Sequence, residues 1–317
     1  MVSLSQIAKN LKQAKNVAIF FHVRPDGDSI GSGIALWLAL KSVGVKADVF
    51  CDDIIPAKFD FLDGVSLIKS EIDGDYDTLV ALDSADVTRL GKFATLFNSH
   101  KNTFNIDHHV SNPRYAKYDY VFDSASNCEN VYALILELGV SIDSVMANAL
   151  AMGVLTDTGN FQHKNVTEET LKTASQLVGY GADLNFLTYK MFNSQSKERA
   201  LLFGQTMSKI RYLLDGQLAV ISIFKKDFDS TGAKREDTEG FIDFIMGIDG
   251  VKVGIALSEM DNGCFKASLR SKGTDVNAVA STFGGGGHTL ASGCQLQGDY
   301  EEIVDKLRYA VYQHLVD

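Results

Sequence analysis

Four short patches bring acidic and imidazole side chains together where hydrophobic runs end: His22-Val-Arg-Pro-Asp26-Gly-Asp28, Asp83, Asp107-His108-His109 and Asp157. The runs before the first three are Val17 to Phe21, Thr78 to Leu82 and Thr103 to Ile106. Each is short and rich in β-branched or aromatic residues, the composition of a buried parallel strand. In an open α/β sheet, ligands gather beyond the carboxyl ends of the strands. Carboxylates gathered there repel one another unless cations hold them, so the pattern points to divalent metal.

The spacing suggests how the ions are shared. Pro25 stiffens the first loop and Gly27 is expected to turn it tightly, aiming Asp26 and Asp28 at two neighbouring cations. Asp83, on another strand tip, is placed to bridge them, and His108 and Asp157 complete the second ion. Two metals held ~3.5–4 Å apart can clamp a phosphoryl group and generate hydroxide near neutral pH. Mixed imidazole and carboxylate ligands suit Mn²⁺ best, with other divalent ions less favoured. A lone Asp after a strand is commonly a turn residue or helix cap. Four such patches in sequence are not explained that way. His100 and His314 read as structural, and His163 is undecided.

The elements that must carry these patches alternate. Strands are expected at Val17 to Val23, Ala47 to Phe50, Thr78 to Asp83 and Thr103 to Asp107, with a helix from Gly31 to Val43 buried through Ile34, Leu36, Leu38 and Leu40. This βαβ rhythm predicts an α/β fold, a mainly parallel sheet flanked by helices. Helices follow at Val131 to Leu138, Ser144 to Leu155 and Glu168 to Val178, and Asn193 to Lys209 reads as a connecting helix at the domain boundary. The remainder reads as a smaller α+β domain. Its strands are Leu218 to Phe224, Val251 to Met260 and Cys264 to Arg270, its helices Thr238 to Met246, Val276 to Thr282 and Tyr300 to His314, and Asp261-Asn262-Gly263 a hairpin turn.

A second chemical signal lies in that domain: Gly284-Gly285-Gly286-Gly287-His288-Thr-Leu-Ala-Ser-Gly293. Successive free backbone N–H groups make an anion-binding concavity, and His288 adds a donor; a flexible turn is the plain alternative. The preceding Ser268-Leu-Arg270-Ser271 ends a strand with a guanidinium suited to phosphate. By contrast, Gly27-Asp-Ser29-Ile-Gly31 imitates a serine-hydrolase elbow, but Arg24-Pro25-Asp26 separate it from the strand and two carboxylates crowd the serine. Neither a dinucleotide fingerprint nor a Walker loop is present.

Composition bounds the rest. The chain of 317 residues is 45% hydrophobic and 22% charged, enough for two globular domains. A net charge of −10 weighs against a grip on long nucleic acid, which needs a basic track. No apolar run nears the roughly 18 residues of a membrane span. Lys9, Lys12 and Lys15 precede an apolar run too short for a signal peptide, so a cytoplasmic protein without membrane attachment is expected. Cys51, Cys128, Cys264 and Cys294 show no metal-binding spacing and read as reduced thiols.

The motifs together resemble the DHH phosphoesterase family, named for the triplet that Asp107-His108-His109 matches. His22-x-x-x-Asp26-x-Asp28, Asp83 and Gly153-Val-Leu-Thr-Asp157-Thr-Gly159 match the other family blocks in order. The resemblance implies a DHH domain over 1–190, a helical connector over 191–211 and a DHH-associated substrate-binding domain over 212–317, with the active site in the inter-domain cleft. It implies two Mn²⁺ per chain, one held by His22, Asp26 and Asp83, the other by Asp28, Asp83, His108 and Asp157. Asp107 would orient a histidine, and His109 would face the phosphate and protonate the leaving oxygen. Arg270, Ser271, Gly285, Gly286, Gly287 and His288 would bind substrate; Ser292 stands where the family loop has Ala. The bare two-domain layout resembles the bacterial group that hydrolyses very short RNA oligonucleotides to mononucleotides and 3′-phosphoadenosine 5′-phosphate (pAp) to AMP by a two-metal hydroxide mechanism. Its partners would be short single-stranded oligonucleotides or small nucleotides. A soluble phosphodiesterase of cyclic di-AMP or linear pApA is the alternative, and a non-catalytic nucleotide-binding sensor a remoter one. A homodimer is left open.

Overall fold

The computed structural model describes residues 2–315, which form two compact units divided between Ser194 and Gln195. In the first unit, α1 (Leu4–Gln13) leads into β1 (Asn16–Phe21), α2 (Gly27–Ser42) and β2 (Lys46–Phe50). Then come β3 (Thr78–Leu82), α3 (Ala94–Ser99), β4 (Thr103–Asp107) and β5 (Tyr118–Val121). The helices α4 (Asn127–Glu137), α5 (Ser144–Asp157), α6 (Glu168–Gly179) and α7 (Leu184–Thr188) follow, the last continuing into a π turn over Tyr189–Asn193.

The strand order is β2-β1-β3-β4-β5, parallel throughout. Alternation along the strands builds two cores. Val17, Ile19, Phe21, Val80 and Leu82 pack with Ile34 and Leu36 of α2 and with Leu150 of α5. Ala18, Phe20, Leu79 and Ala81 face Leu90, Phe93 and Phe97 on the other side. The chain leaves β1 toward β2 on one side and returns to β3 on the other. The carboxyl ends of β1 and β3 therefore form the topological switch point where α/β sheets bind ligands.

Three local readings change. Helix α2 begins at Gly27, because Asp26 caps it: its Oδ1 accepts the Ser29 N–H at 3.0 Å and Ser29 Oγ accepts the Asp26 N–H at 3.0 Å. The tight turn belongs to Arg24, with φ 56°, whereas Gly27 is helical and makes room for Thr156, whose side chain an added Cβ would meet at 2.5 Å. Helix α4 starts four residues before the first apolar residue of its pattern, since Asn127, Cys128, Glu129 and Asn130 are buried. Helix α1 and edge strand β5, absent from the sequence reading, complete the unit.

The second unit holds α8 (Lys197–Met207), β6 (Arg211–Leu213), β7 (Leu218–Ile223), α9 (Lys225–Thr231), α10 (Phe241–Met246) and β8 (Val253–Glu259). It continues with β9 (Cys264–Ser271), α11 (Val276–Ser281), β10 (Gly286–His288), β11 (Ala291–Gln297) and α12 (Tyr300–His314). Its mixed sheet runs β10-β11-β9-β8-β7-β6, with only β7 and β8 parallel. Helices α11 and α12 cover one face through Val276, Val279, Ile303 and Leu307. The β8–β9 hairpin turns through Asn262 and Gly263, both at positive φ. Among the described residues no helix is long and apolar enough to cross a membrane.

Candidate metal centre and active site

The parallel register brings the tips of β1, β3 and β4 level, and α5 delivers Asp157 from its last turn. His22 Nε2 lies 3.5 Å from Asp26 Oδ2 and 3.3 Å from Asp83 Oδ2. His108 Nε2 lies 3.3 Å from Asp83 Oδ1, 3.6 Å from Asp157 Oδ2 and 3.9 Å from Asp28 Oδ2. Asp83 thus presents one oxygen to each imidazole. Three overlapping groups have ligand atoms within 4.8 Å of one another: His22, Asp26 and Asp83; Asp28, His108 and Asp157; and Asp83, His108 and His109.

The imidazole tautomers are set by their other nitrogens. His22 Nδ1 meets the Val23 carbonyl at 2.9 Å and His108 Nδ1 meets the Ser124 carbonyl at 3.1 Å. A carbonyl only accepts, so each Nδ1 carries hydrogen, and Nε2 is the nitrogen that faces the carboxylates and would ligate a cation on giving up its own proton. His109 differs: its Nδ1 donates to Asp107 Oδ1 at 2.8 Å, and its ring is part-exposed. Asp107 is fully buried, and its Oδ2 accepts the Asn112 amide at 2.6 Å.

Electrostatics mark the cluster as short of positive charge. Burial, then the charges of Asp28, Asp83 and Asp26, push the Asp157 carboxyl up to about 9. Burial and Asp83 push Asp28 up to about 7. Burial would depress His22 and His108, but the bonds and charges of their carboxylate partners outweigh it and raise both to about 10. Asp83 is held below the usual carboxylate range by those two histidines against the cost of its own burial.

In the second unit, cross-strand pairing sets Arg270 opposite Ala291, and Ala291 opposite His288. Directly opposed residues share a sheet face, so the guanidinium and imidazole occupy one row. Ser271 projects to the other face, where its hydroxyl donates to the Thr274 carbonyl. The expected concavity of free N–H groups is not formed. Gly284 N–H donates to Ser281 O, Gly285 N–H to Ala280 O and Gly287 N–H to Asn277 Oδ1. The glycines serve a closer purpose, because β10 is pressed onto β11: a Cβ on Gly285 would meet Gly293 O at 2.2 Å, and one on Gly287 would meet Ala291 O at 2.6 Å. Beside them lies a cavity of about 580 Å³ lined by Lys266, Phe283, Gly284, Gly285 and Gln295 among others.

The sequence pattern of the DHH family, N-terminal domain, matches residues 16–154, and that of the DHHA1 domain matches 215–313. The bifunctional oligoribonuclease and PAP phosphatase NrnA of Thermus thermophilus is 34% identical over 98% of this chain and 93% of its own length. The chain belongs to the DHH family. It is a hydrolase of phosphoester bonds. The Bacillus subtilis protein of the same name is 25% identical over 92% of this chain and 93% of its own. Among solved structures, an exopolyphosphatase-related protein of Bacteroides fragilis superposes with a TM-score of 0.83 at 27% identity, covering 98% of this chain and 95% of that one. RecJ of Thermus thermophilus in complex with Mn²⁺ shares the fold with a TM-score of 0.51 at 12% identity, over 99% of this chain and 55% of RecJ.

The donor set of this DHH domain fits divalent cations. Asp83 Oδ1 is buried and makes no well-aligned hydrogen bond, although His108 Nε2 lies 3.3 Å away, a costly state that a bound cation would relieve. His22, Asp26, Asp28, Asp83, His108 and Asp157 are the side chains that would hold metal.

The residues that steady these ligands were not legible in the sequence. Both Asp28 oxygens accept backbone N–H groups at the start of α4, Oδ2 from Asn127 and Oδ1 from Cys128 at 2.8 Å. With its amide oriented to satisfy its neighbours, Asn127 accepts the Asp83 N–H at 3.2 Å and donates to Ile106 O at 3.1 Å. Asn130 donates to Asp107 O, and Asn165 bridges Ala125 O and Asp157 O. His163, undecided from sequence, has Nδ1 3.1 Å from the Asp157 carbonyl, to which it donates. A polar stretch before an apolar period was the one available signal for the α4 terminus.

Proposed function

We propose that this DHH-family hydrolase is Mn²⁺-dependent, holds two ions, and cleaves very short RNA oligonucleotides to mononucleotides and pAp to AMP. The observation that carries the reading is full-length similarity to proteins named for those two activities. The buried carboxylate–imidazole cluster supports it. Bound divalent ions would supply charge for a phosphoryl group and lower the pKa of bound water. His22, Asp26 and Asp83 would hold one ion, and Asp28, Asp83, His108 and Asp157 the other.

The chain's own residues do the rest. Asp107, fixed by Asn112, holds His109 with its Nε2 turned away from that bond. His109 acts as general acid, giving its proton to the leaving oxygen, and the imidazolium that precedes transfer is stabilised by Asp107. Arg270 and His288 contact substrate phosphate from their shared face, and Gly285, Gly286 and Gly287 shape the hairpin that presents His288.

The test is turnover of pAp, RNA dimers to pentamers, a 24-mer and cyclic di-AMP, with Mn²⁺ or excess chelator. Release of AMP from pAp and of mononucleotides from the short RNAs, abolished by chelator, is expected. Full activity in chelator, or cleavage confined to cyclic di-AMP, overturns the reading.

A further inference from the structure

The first unit carries a cavity of about 420 Å³ lined by Ala57, Lys58, Asp60, Phe61, Lys190 and Ser194. That volume lies within the roughly 300–1,000 Å³ typical of small-ligand sites. None of these residues belongs to the metal cluster or to the family motifs. Both walls are tied to loops bearing candidate ligands. Asp53, on the segment leading into Lys58, accepts the backbone N–H of Arg24 at 2.6 Å, two residues from both His22 and Asp26. Thr188, at the start of the other wall, donates to Asn160 Oδ1 at 3.2 Å, three residues beyond Asp157.

Lys58, Phe61 and Lys190 of the lining, with Phe186 packed on Phe61 from outside it, have the chemistry of a nucleotide site. Phe61 and Phe186 meet edge to face at 5.6 Å, and the Lys190 ammonium stands 6.0 Å and 5.7 Å from their centroids. Lys190 is half-buried on the π turn, a distortion that recurs at functional sites. Neither Lys58 nor Lys190 makes an ion pair among the described residues, and Asp60, the one acid in the lining, makes none either. Two lysines without carboxylate partners around an aromatic surface suit a phosphate with a base beside it. Base–aromatic stacking tolerates any base, as a non-specific oligonucleotide site requires.

We propose that this pocket binds the nucleotide of an oligonucleotide substrate adjacent to the one at the metal centre, with Lys58 and Lys190 on its phosphate and Phe61 against its base. The inference rests on the oligonucleotide reading above. It separates the two substrate types, because pAp has no second nucleoside to fill the pocket.

The experiment compares the full chain with the Lys58→Ala/Lys190→Ala double variant and, separately, Phe61→Leu. Equilibrium dialysis measures binding of pAp and of an RNA tetranucleotide with phosphorothioate linkages, in Mn²⁺ and again in chelator. The double variant should raise the tetranucleotide Kd about tenfold, and Phe61→Leu about fivefold, consistent with the strength of one base stack. Affinity for pAp should stay within twofold in both variants, with unchanged thermal midpoints. Tetranucleotide binding within twofold of wild type in the double variant, or an equal loss for pAp, overturns the pocket. Wild-type turnover of unmodified tetranucleotide and pAp is measured alongside. A wild type that binds as expected but hydrolyses neither overturns the functional reading alone; normal turnover without a lysine effect overturns the pocket alone.

Discussion

Adjacent histidines in one motif have different surroundings. His108 points Nε2 at Asp83, Asp157 and Asp28, whereas His109 is held through Nδ1 by the buried Asp107. His108→Ala should therefore empty one metal position, while His109→Ala should leave metal content intact and slow turnover by ~10²–10⁴, the usual weight of a general acid. Metal analysis of the purified variants checks it, and equal metal loss in both would show the roles to be wrongly divided. Asp83 has an oxygen toward each imidazole, so Asp83→Ala should deplete both positions and cost several kcal/mol of transition-state stabilisation. Retention of one full equivalent of metal in that variant would refute the bridge. The residue types were readable in the sequence because metal binding needs particular donor atoms. Which nitrogen faces the site was not, since Val23 O and Ser124 O make that choice.

Among the elements, α2, α4 and α5 meet at glycines. A Cβ on Gly31 would stand 2.2 Å from Ala149 O, and one on Gly153 would stand 2.3 Å from Cys128 Sγ and 2.6 Å from Asp28 Oδ1. Backbone at the first contact and a buried carboxylate at the second leave little room to yield. Gly153→Ala should cost ~1–3 kcal/mol of stability and, by displacing Asp28, weaken metal binding ~10-fold or more. Thermal unfolding with and without Mn²⁺ separates the two effects, and an unchanged metal dependence would mean that Asp28 had not moved. Strands β1 to β4 were legible from their apolar runs. The first turn of α4 was not, because Asn127 and Asn130 are buried for their hydrogen bonds and so fall outside apolar periodicity.

At the scale of the whole molecule, the crowded charges make the metal-free protein sensitive to pH. His22 and His108 lie near 10 in the fold against 6.5 ordinarily, and Asp28 near 7 and Asp157 near 9 against 3.8. Each keeps a proton that the unfolded chain has released, so stability in chelator should fall as pH rises from 6.5 to 9. Asp26 and Asp83 are shifted downward and act only in acid. Bound metal replaces those protons and should flatten the slope. Thermal midpoints across that range, in chelator and in Mn²⁺, decide it; parallel slopes would argue against a metal centre. The second unit enters through substrate length. Arg270→Ala or His288→Ala should raise KM for RNA dimers to pentamers several-fold and spare a small artificial phosphodiester. Wild-type cleavage of a 24-mer faster than a dimer, at fixed salt, would contradict the preference for short chains.

What the sequence determined by itself was the order and chemistry of the parts. Strand composition and period placed β1 to β4 and the α+β character of the second unit, and the strand-end motifs carried the family. These are local properties, set by side-chain alternation and donor type over a few residues. The tertiary structure alone decided the rest. It showed that Asp26 is a helix cap as well as a candidate ligand, and that the α4 terminus receives Asp28 across about a hundred residues of sequence. It also showed that the glycine run closes a hairpin, its N–H groups largely taken by α11 and its turn. Each depends on which distant backbone groups meet, and packing of the whole unit settles that choice.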